Sequence, residues 1–194
     1  MKKREINTFS DPESDKYAIQ RAENTLQFIN ENVHPIGPFA LDVAGPSPVG
    51  KYISSALGLK YKTTEGDLDY DPFLLDGVIP SFVLCLEIIE HLMSPKYFLK
   101  TLAENTTASI DLIITYPSRP KFLWTSCHFH EYDKKRFEYL VEQSGWKIVA
   151  RDRKRIPKPF WKYFTGIRTP LRLIYDMDSM FHLRKTIKAG GTNE

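Results

Sequence analysis

Residues 40–50, ALDVAGPSPVG, join an apolar run that stops at Asp42 to a turn of small residues and prolines. Ser47 is placed to cap a helix, and Pro48 to occupy the first helical position. Such a helix start offers unpaired N–H groups and the positive end of the helix dipole to a ligand. Gly45 lets that ligand approach the backbone closely. A ligand-binding turn is one interpretation, and a plain strand-to-helix turn is the other.

Two acids follow this turn at a distance that suits a nucleoside. Glu65 and Asp67 come about 20 residues after Gly45, where a carboxylate can accept hydrogen bonds from both ribose hydroxyls. The G-x-G-x-x-G fingerprint of dinucleotide sites is absent, and so is the G-K-[ST] of triphosphate loops. The pattern therefore favours an adenosine-type cofactor over NAD, FAD or a nucleoside triphosphate.

The segment CHFHE, residues 127–131, carries side chains that can move protons. Histidine titrates near neutral pH, so His128 or His130 could act as a general base. The alternative is that both histidines, together with Glu131, only order the loop through hydrogen bonds. Cys127 and the two histidines do not have the spacing of a zinc site, so no metal is predicted.

These groups need elements that hold them in place. Apolar periodicity predicts helices at 11–33, 48–57, 95–105 and 133–144, and strands at 39–44, 59–64, 82–86, 109–117 and 146–152. Apolar strands alternating with helices indicate an α/β fold: a doubly wound, mostly parallel, Rossmann-like sheet with helices on both faces. Ligands of such sheets bind beyond the carboxyl ends of the strands. The turn, the acids and the histidines all follow strands, so we expect them to converge on one crevice.

The C-terminal part of the chain is basic and aromatic. Between Lys147 and Lys162 there are seven basic residues and one acid, and four aromatic residues lie at 160–164. Segment 147–164 suits nucleic acid, an anionic membrane surface, or a solvated edge strand. A helix is predicted to begin at Thr169-Pro170, with the apolar stripe Leu171, Ile174, Tyr175, Met177 and Phe181. Residues 153–188 would then form a C-terminal helical extension or lid, and residues 1–10 and 189–194 would be loose tails.

Three stretches, in this order, resemble the class I S-adenosylmethionine-dependent methyltransferases. They are ALDVAGPSPVGKYI, FVLCLEIIEHLMSPKYFLKTLAE and IDLIITYPSRP…HFHEYDKKRFEYLVEQSGWKIV, and they span residues 39–151. Two departures from the family pattern are the single glycine of the first loop and the short connection between the second strand and SFVLCL.

The resemblance implies S-adenosylmethionine as the cofactor and assigns it three groups of contacts. The methionine end of the cofactor would be lined by Asp42, Ala44, Gly45 and Ser47. The ribose hydroxyls would bind to Glu65 or Asp67. Leu86 and Glu87 would border the site. Asp69 is a candidate for the adenine side.

Methyl transfer is a direct displacement, so the enzyme mainly holds donor and acceptor in line and can remove a proton from the acceptor. His128 or His130 would be the proton acceptor. The expected function is methyl transfer to a small molecule or a saccharide. Two alternatives stay open: a metal-dependent, nucleotide-sugar glycosyltransferase-like enzyme that uses Asp67 and Asp69, and a non-catalytic Rossmann-like binding protein.

Composition agrees with one globular domain covering residues 1–194, because the chain is 42% hydrophobic and 13% aromatic. A net charge of +3 does not by itself argue for nucleic acid. Of the two cysteines, Cys85 is predicted to be a small core residue. The N-terminal residues lack the apolar segment of a signal peptide, so we expect a reducing, cytoplasmic location.

Overall fold

The computed structural model of the chain describes residues 16–34, 37–71, 80–106, 110–118, 128–155 and 177–186. The helices are α1 (Lys16–Asn32), α2 (Pro48–Ala56), α3 (Pro95–Asn105) and α4 (Lys134–Gln143). The strands are β1 (Phe39–Asp42), β2 (Lys60–Thr63), β3 (Phe82–Leu86), β4 (Asp111–Ser118), β5 (Trp146–Arg155) and β6 (Met177–Lys185). A short 3₁₀ turn, Ile89–His91, follows β3. Within these ranges, no helix has both the length and the apolarity needed to cross a bilayer.

The apolar runs of the sequence become the inner strands. Every residue of β1 and β3 is buried, and so is every residue of β4 except the last. Strands that are buried on both faces are typical of parallel sheets. The basic strand β5 lies at the edge of the sheet, and its residues alternate between exposed and less exposed.

The six strands form one sheet in the order β2-β1-β3-β4-β6-β5. The neighbours β2, β1, β3 and β4 are parallel, with Asp42 opposite both Thr63 and Leu84. Strand β6 is antiparallel to both β4 and β5. The carboxyl ends of β1 to β4 therefore meet at one edge of a mostly parallel sheet, as the sequence predicts.

Helices cover both faces of the sheet. Alternate strand residues point into two separate clusters, as β3 illustrates: Val83 and Cys85 belong to one cluster, and Leu84 belongs to the other. The first cluster contains α3 and α4 residues such as Phe98 and Phe137. The second contains residues of α1 and α2. Cys85 is fully buried, as predicted, and residues 11–15 of the predicted first helix lie outside the described residues.

The predicted C-terminal helix is wrong for Met177 and Phe181, which lie in β6. This strand is inserted between β4 and β5, so it is buried on both faces over residues 178–183. An inner strand has no alternating pattern, and its apolar residues can match helical spacing by chance. Residues 153–155 and 177–185 therefore belong to the sheet and not to an extension or lid. Leu171, Ile174 and Tyr175 lie outside the described residues.

Candidate functional site

The turn after β1 is held by a carboxylate that reaches forward to it. Asp42 is only 1% exposed. Its Oδ2 accepts hydrogen bonds from Ser47 Oγ at 2.6 Å and from Tyr61 Oη at 2.9 Å. Ser47 Oγ in turn accepts the Gly50 N–H at 2.9 Å, which confirms the predicted N-cap. The Ser47 hydroxyl therefore links the end of β1 to the first turn of α2.

Burial dominates the ionisation of Asp42. It raises the pKa of Asp42 from 3.8 to about 7, because the hydrogen bonds from Ser47 and Tyr61 offset only part of the lost solvation. Gly50 packs directly against this carboxyl group, and a Cβ at Gly50 would overlap it. Asp42 therefore positions the turn through its contacts with Ser47, Tyr61 and Gly50. Sequence analysis missed Gly50 and Tyr61, because their roles depend on how closely α2 and β2 approach Asp42.

Few backbone donors of this turn are available to a ligand. The Ala44 N–H donates to Thr64 Oγ1 at 3.2 Å, and the Ser47 N–H donates to Tyr61 Oη at 2.7 Å. The two prolines have no N–H. In this fully described turn, the Gly45 N–H is the donor that remains. Gly45 has a φ of 94°, and no atom lies within 4 Å of a Cβ added there, so the backbone is open to an approaching group.

The acids after β2 lie beside the turn. The contact between Ala44 and Thr64 ties the end of β1 to the end of β2, and Glu65 is the next residue. Glu65 and Asp67 are both exposed. Asp67 Oδ1 accepts the Asp69 N–H at 3.0 Å, which shapes the loop. Both carboxylates thus reach solvent at the edge where the ribose of an adenosine cofactor is expected.

Asp69 caps helix α3 from a distance. Its Oδ1 accepts the Ser94 N–H at 2.7 Å, and its Oδ2 accepts the Met93 N–H at 3.0 Å. Ser94 occupies the predicted N-cap position, but its side chain makes no capping hydrogen bond. A carboxylate at this end of a helix is stabilised by the helix dipole. Each Asp69 oxygen thus already accepts one backbone N–H, and the adenine contact expected of Asp69 stays a prediction.

A narrow cleft lies beside the ends of β3 and β4, under helix α1. Its lining residues are Arg21, Asn24, Thr25, Val49, Leu86, Glu87, Thr115, Asp178 and Met180. Leu86 and Glu87 are therefore part of the cleft wall, and their role at a cofactor stays a prediction. The cleft mixes apolar side chains with three charged ones, which suits a ligand with both characters.

The three charged residues form a compact network. Arg21 Nε donates to Asp178 Oδ2 at 2.9 Å, and Arg21 Nη2 lies 3.5 Å from Glu87 Oε2. Burial opposes the charge of Arg21, but Glu87 and Asp178 outweigh it and keep the pKa of the guanidinium above its ordinary value. Sequence analysis missed Arg21, although a charge between Ala18 and Ala22 on a buried helix face was a usable signal.

Glu87 has an unusual backbone and an unusual side chain. Its φ is 56°, in the left-handed region that side chains rarely adopt, and its N–H donates to the Thr115 carbonyl at 3.0 Å. The side chain is buried, and its Oε1 has no hydrogen-bond partner among the described residues. Backbone strain and an unsatisfied buried oxygen often mark functional positions.

His128 and His130 occupy different environments. His128 Nδ1 lies 2.9 Å from Glu131 Oε1, and these side chains are only 8% and 5% exposed. The His128 ring also meets the His91 ring edge-on at 4.8 Å. His130 is half-buried, and its Nε2 lies 3.4 Å from the Met93 carbonyl.

Backbone hydrogen bonds fix the loop that carries these histidines. The N–H groups of Phe129 and His130 donate to the Glu90 carbonyl at 3.0 and 3.1 Å. The loop after β4 is thereby tied to the 3₁₀ turn after β3. Together with the Ala44–Thr64 and Asp69–Ser94 contacts, this bond joins the segments that follow all four parallel strands. The predicted convergence at one edge is observed, while Cys127 lies outside the described residues.

No protein-family model matches this sequence, and the search of curated proteins found no match either. Solved structures do match. A SAM-dependent methyltransferase from Archaeoglobus fulgidus superposes with a TM-score of 0.63 at 12% identity, over 87% of this chain and 94% of that one. An S-adenosylmethionine-dependent methyltransferase from Clostridium acetobutylicum ATCC 824 gives a TM-score of 0.52 at 8% identity, over 93% and 94%. This chain has the class I methyltransferase fold.

The class I methyltransferase fold accommodates more than one activity. The [4+2]-cyclase SpnF superposes on this chain with a TM-score of 0.59 at 11% identity, over 87% of this chain and 82% of that one. Identities this low establish the fold alone, and a fold does not determine the reaction. The function of this chain therefore depends on the residues of its own site and not on the fold alone.

Proposed function

We propose that this protein is an S-adenosylmethionine-dependent methyltransferase that acts on a small molecule or a saccharide hydroxyl. The observation that carries the proposal is the turn after β1, where Asp42 and Ser47 hold the open Gly45 backbone at the carboxyl edge of the sheet. In folds of this type, ligands bind at that edge.

The residues at this edge fit the groups of the cofactor. S-adenosylmethionine has a carboxylate, two cationic groups and a ribose diol, and when bound it supplies an electrophilic methyl group. The Gly45 N–H would donate to the carboxylate, and Glu65 or Asp67 would accept from the ribose hydroxyls. The buried Oε1 of Glu87, which has no partner among the described residues, would face a cation or a hydrogen-bond donor. Ala44 and Leu86 would supply apolar contacts next to these groups.

The cleft beside Glu87 is the proposed acceptor site. Arg21 and Asp178 hold the Glu87 side chain in one orientation, and Thr115 adds a hydroxyl to the wall. These groups can bind and orient an acceptor hydroxyl against the methyl donor, which is the main requirement of a displacement. For the proton that this hydroxyl releases, His128 and His130 both stay candidates, because Glu131 engages only Nδ1 of His128.

The mixed polar and apolar lining of this cleft supports a small acceptor. Nucleic acid or an anionic membrane surface remains a prediction for segment 147–164, of which residues 156–164 lie outside the described residues. Part of the charge on β5 is neutralised within the chain, because Arg151 pairs with Glu138 at 2.8 Å and Lys154 Nζ lies 3.6 Å from Asp152 Oδ2. These contacts reduce the attraction of the strand for a polyanion.

Calorimetric titration with S-adenosylmethionine and S-adenosylhomocysteine tests the cofactor assignment. We expect saturable binding of both by the unmodified protein. Asp42→Ala removes the acceptor that holds Ser47 and Tyr61, so it should abolish this binding. Asp42→Asn is the matched control, because an amide oxygen in the place of Oδ2 can still accept both hydroxyls. Glu65→Ala and Asp67→Ala should differ, and the larger loss identifies the acid that binds the ribose.

Three results would overturn the proposal. Absence of binding to either compound would remove the cofactor assignment. Binding of a nucleotide sugar with manganese, and not of S-adenosylmethionine, would favour a glycosyltransferase-like enzyme. Tight cofactor binding without methyl transfer to any acceptor in a panel of hydroxylated small molecules and saccharides would favour a non-catalytic binding protein.

A further inference from the structure

The 3₁₀ turn after β3 and the loop after β4 bring metal-ligating side chains together. One ligand atom each from Glu90, His91 and His128 lies within 4.8 Å of the other two. His91 Nε2 is 3.8 Å from Glu90 Oε1, and the His91 and His128 rings meet edge-on at 4.8 Å. Of the three residues weighed from their spacing, His128 belongs to this group and His130 does not, while Cys127 lies outside the described residues. We propose that Glu90, His91 and His128 form a binding site for a divalent first-row transition-metal cation.

The buried carboxylate of Glu90 is the first argument. Glu90 is 2% exposed, and its Oε2 has no hydrogen-bond partner among the described residues. A carboxylate without a donor is unfavourable in such a place unless a cation compensates it. A divalent cation would supply that compensation through the unsatisfied oxygen.

The orientation of His128 is the second argument. Glu131 Oε1 lies 2.9 Å from His128 Nδ1, which fixes the tautomer and makes Nε2 the metal-binding nitrogen. A carboxylate on the far nitrogen of a histidine is the common outer contact of protein metal sites. The loop after β4 is held against the 3₁₀ turn, because the N–H groups of Phe129 and His130 both donate to the Glu90 carbonyl.

The ligand set indicates the class of cation. Two imidazoles and one carboxylate suit Zn²⁺ or Fe²⁺ and leave coordination positions open. Ligand atoms around a tetrahedral zinc lie about 3.3 Å apart, given metal–ligand bonds of about 2.0–2.2 Å. Metal binding would draw the His91 side chain, which is 21% exposed, closer to the other two ligands. The open positions would be available to water or to an oxygen of a bound molecule.

Titration of the full chain with Zn²⁺ tests the site, and Co²⁺ absorption reports its geometry. The titration is done without S-adenosylmethionine, so its outcome is independent of the proposed function. We expect one Zn²⁺ per chain and, with Co²⁺, the visible bands of a low-coordinate site. His91→Gln and His128→Gln should each weaken Zn²⁺ binding at least about 100-fold, and Glu131→Gln about 10–100-fold.

A control variant separates this site from a neighbouring histidine. His130→Gln alters a histidine outside the cluster and should leave Zn²⁺ affinity unchanged. Absence of saturable Zn²⁺ binding would overturn the proposal, and so would an equal loss of affinity in His130→Gln. If the Glu90→Gln protein fails to fold, the Zn²⁺ affinity of His91→Gln still tests the site, because His91 is partly exposed.

Discussion

Gly50 and Asp42 lie so close together that a methyl group on Gly50 would overlap the Asp42 carboxyl group. This contact makes a helical position intolerant of alanine, although alanine is the better helix former by about 1 kcal/mol. The close approach allows Ser47 Oγ to bond both the Asp42 carboxyl group and the Gly50 N–H. The geometry of the proposed cofactor turn therefore depends on the absence of a side chain at Gly50.

Gly50→Ala is expected to lower the free energy of unfolding by about 1–3 kcal/mol, because overpacking outweighs the gain in helix propensity. Urea denaturation measures the change. Ser55→Ala, at an exposed position of the same helix, should stay within about 0.5 kcal/mol of the unmodified protein. A stabilised Gly50→Ala protein would show that the turn can move away from Asp42.

The raised pKa of Asp42 gives stability a pH dependence. Between 3.8 and about 7, the carboxyl group is ionised in the unfolded chain and protonated in the folded one. The unfolded state then binds fewer protons, so stability falls as pH rises, by up to about 1.4 kcal/mol per pH unit, and levels off above the folded pKa. Asp42→Asn does not titrate and should show a smaller fall over this window. Urea denaturation of both proteins across this pH window measures the change in the free energy of unfolding. An equal fall in the unmodified protein and in Asp42→Asn would contradict the raised pKa of Asp42.

Helix α3 should depend on Asp69 and not on its own N-cap residue. Asp69→Ala removes two hydrogen bonds to backbone N–H groups, so we expect a loss of about 1–2 kcal/mol in the free energy of unfolding. Ser94→Ala should cost less than about 0.5 kcal/mol, because the Ser94 side chain makes no capping bond. Chemical denaturation of both variants measures the difference. The reverse order of effects would restore Ser94 as the functional cap.

The Arg21–Asp178 pair should stabilise the fold through charge compensation. Arg21→Met removes the guanidinium that pairs with Asp178 and Glu87, and removing one partner of a buried pair costs about 3 kcal/mol. The double variant Arg21→Met/Asp178→Asn should recover part of this loss, because the Asp178 charge that Arg21 faces is then also removed. A double-mutant cycle by denaturation measures the coupling. Additive effects of the two substitutions would show that the contact contributes no net stability.

Local features of the sequence predicted much of the fold. The apolar run Phe82–Leu86 matches β3, and Ser47 and Pro48 begin α2 as expected. The carboxyl ends of the four parallel strands also meet at one edge of the sheet, as expected. These features could be predicted because capping, burial on both faces and strand-to-helix alternation depend on residues that are near one another in the chain.

The tertiary structure alone decided the contacts between distant segments. Arg21 and Asp178 are 157 residues apart, and the sequence patterns predicted neither as a site residue. Likewise, His91 and His128 meet only because two loops after neighbouring strands are tied at Glu90. The sequence by itself determined which residues begin and end most elements. The order and register of the strands then determined which side chains meet, because those contacts depend on how elements far apart in the chain pack against each other.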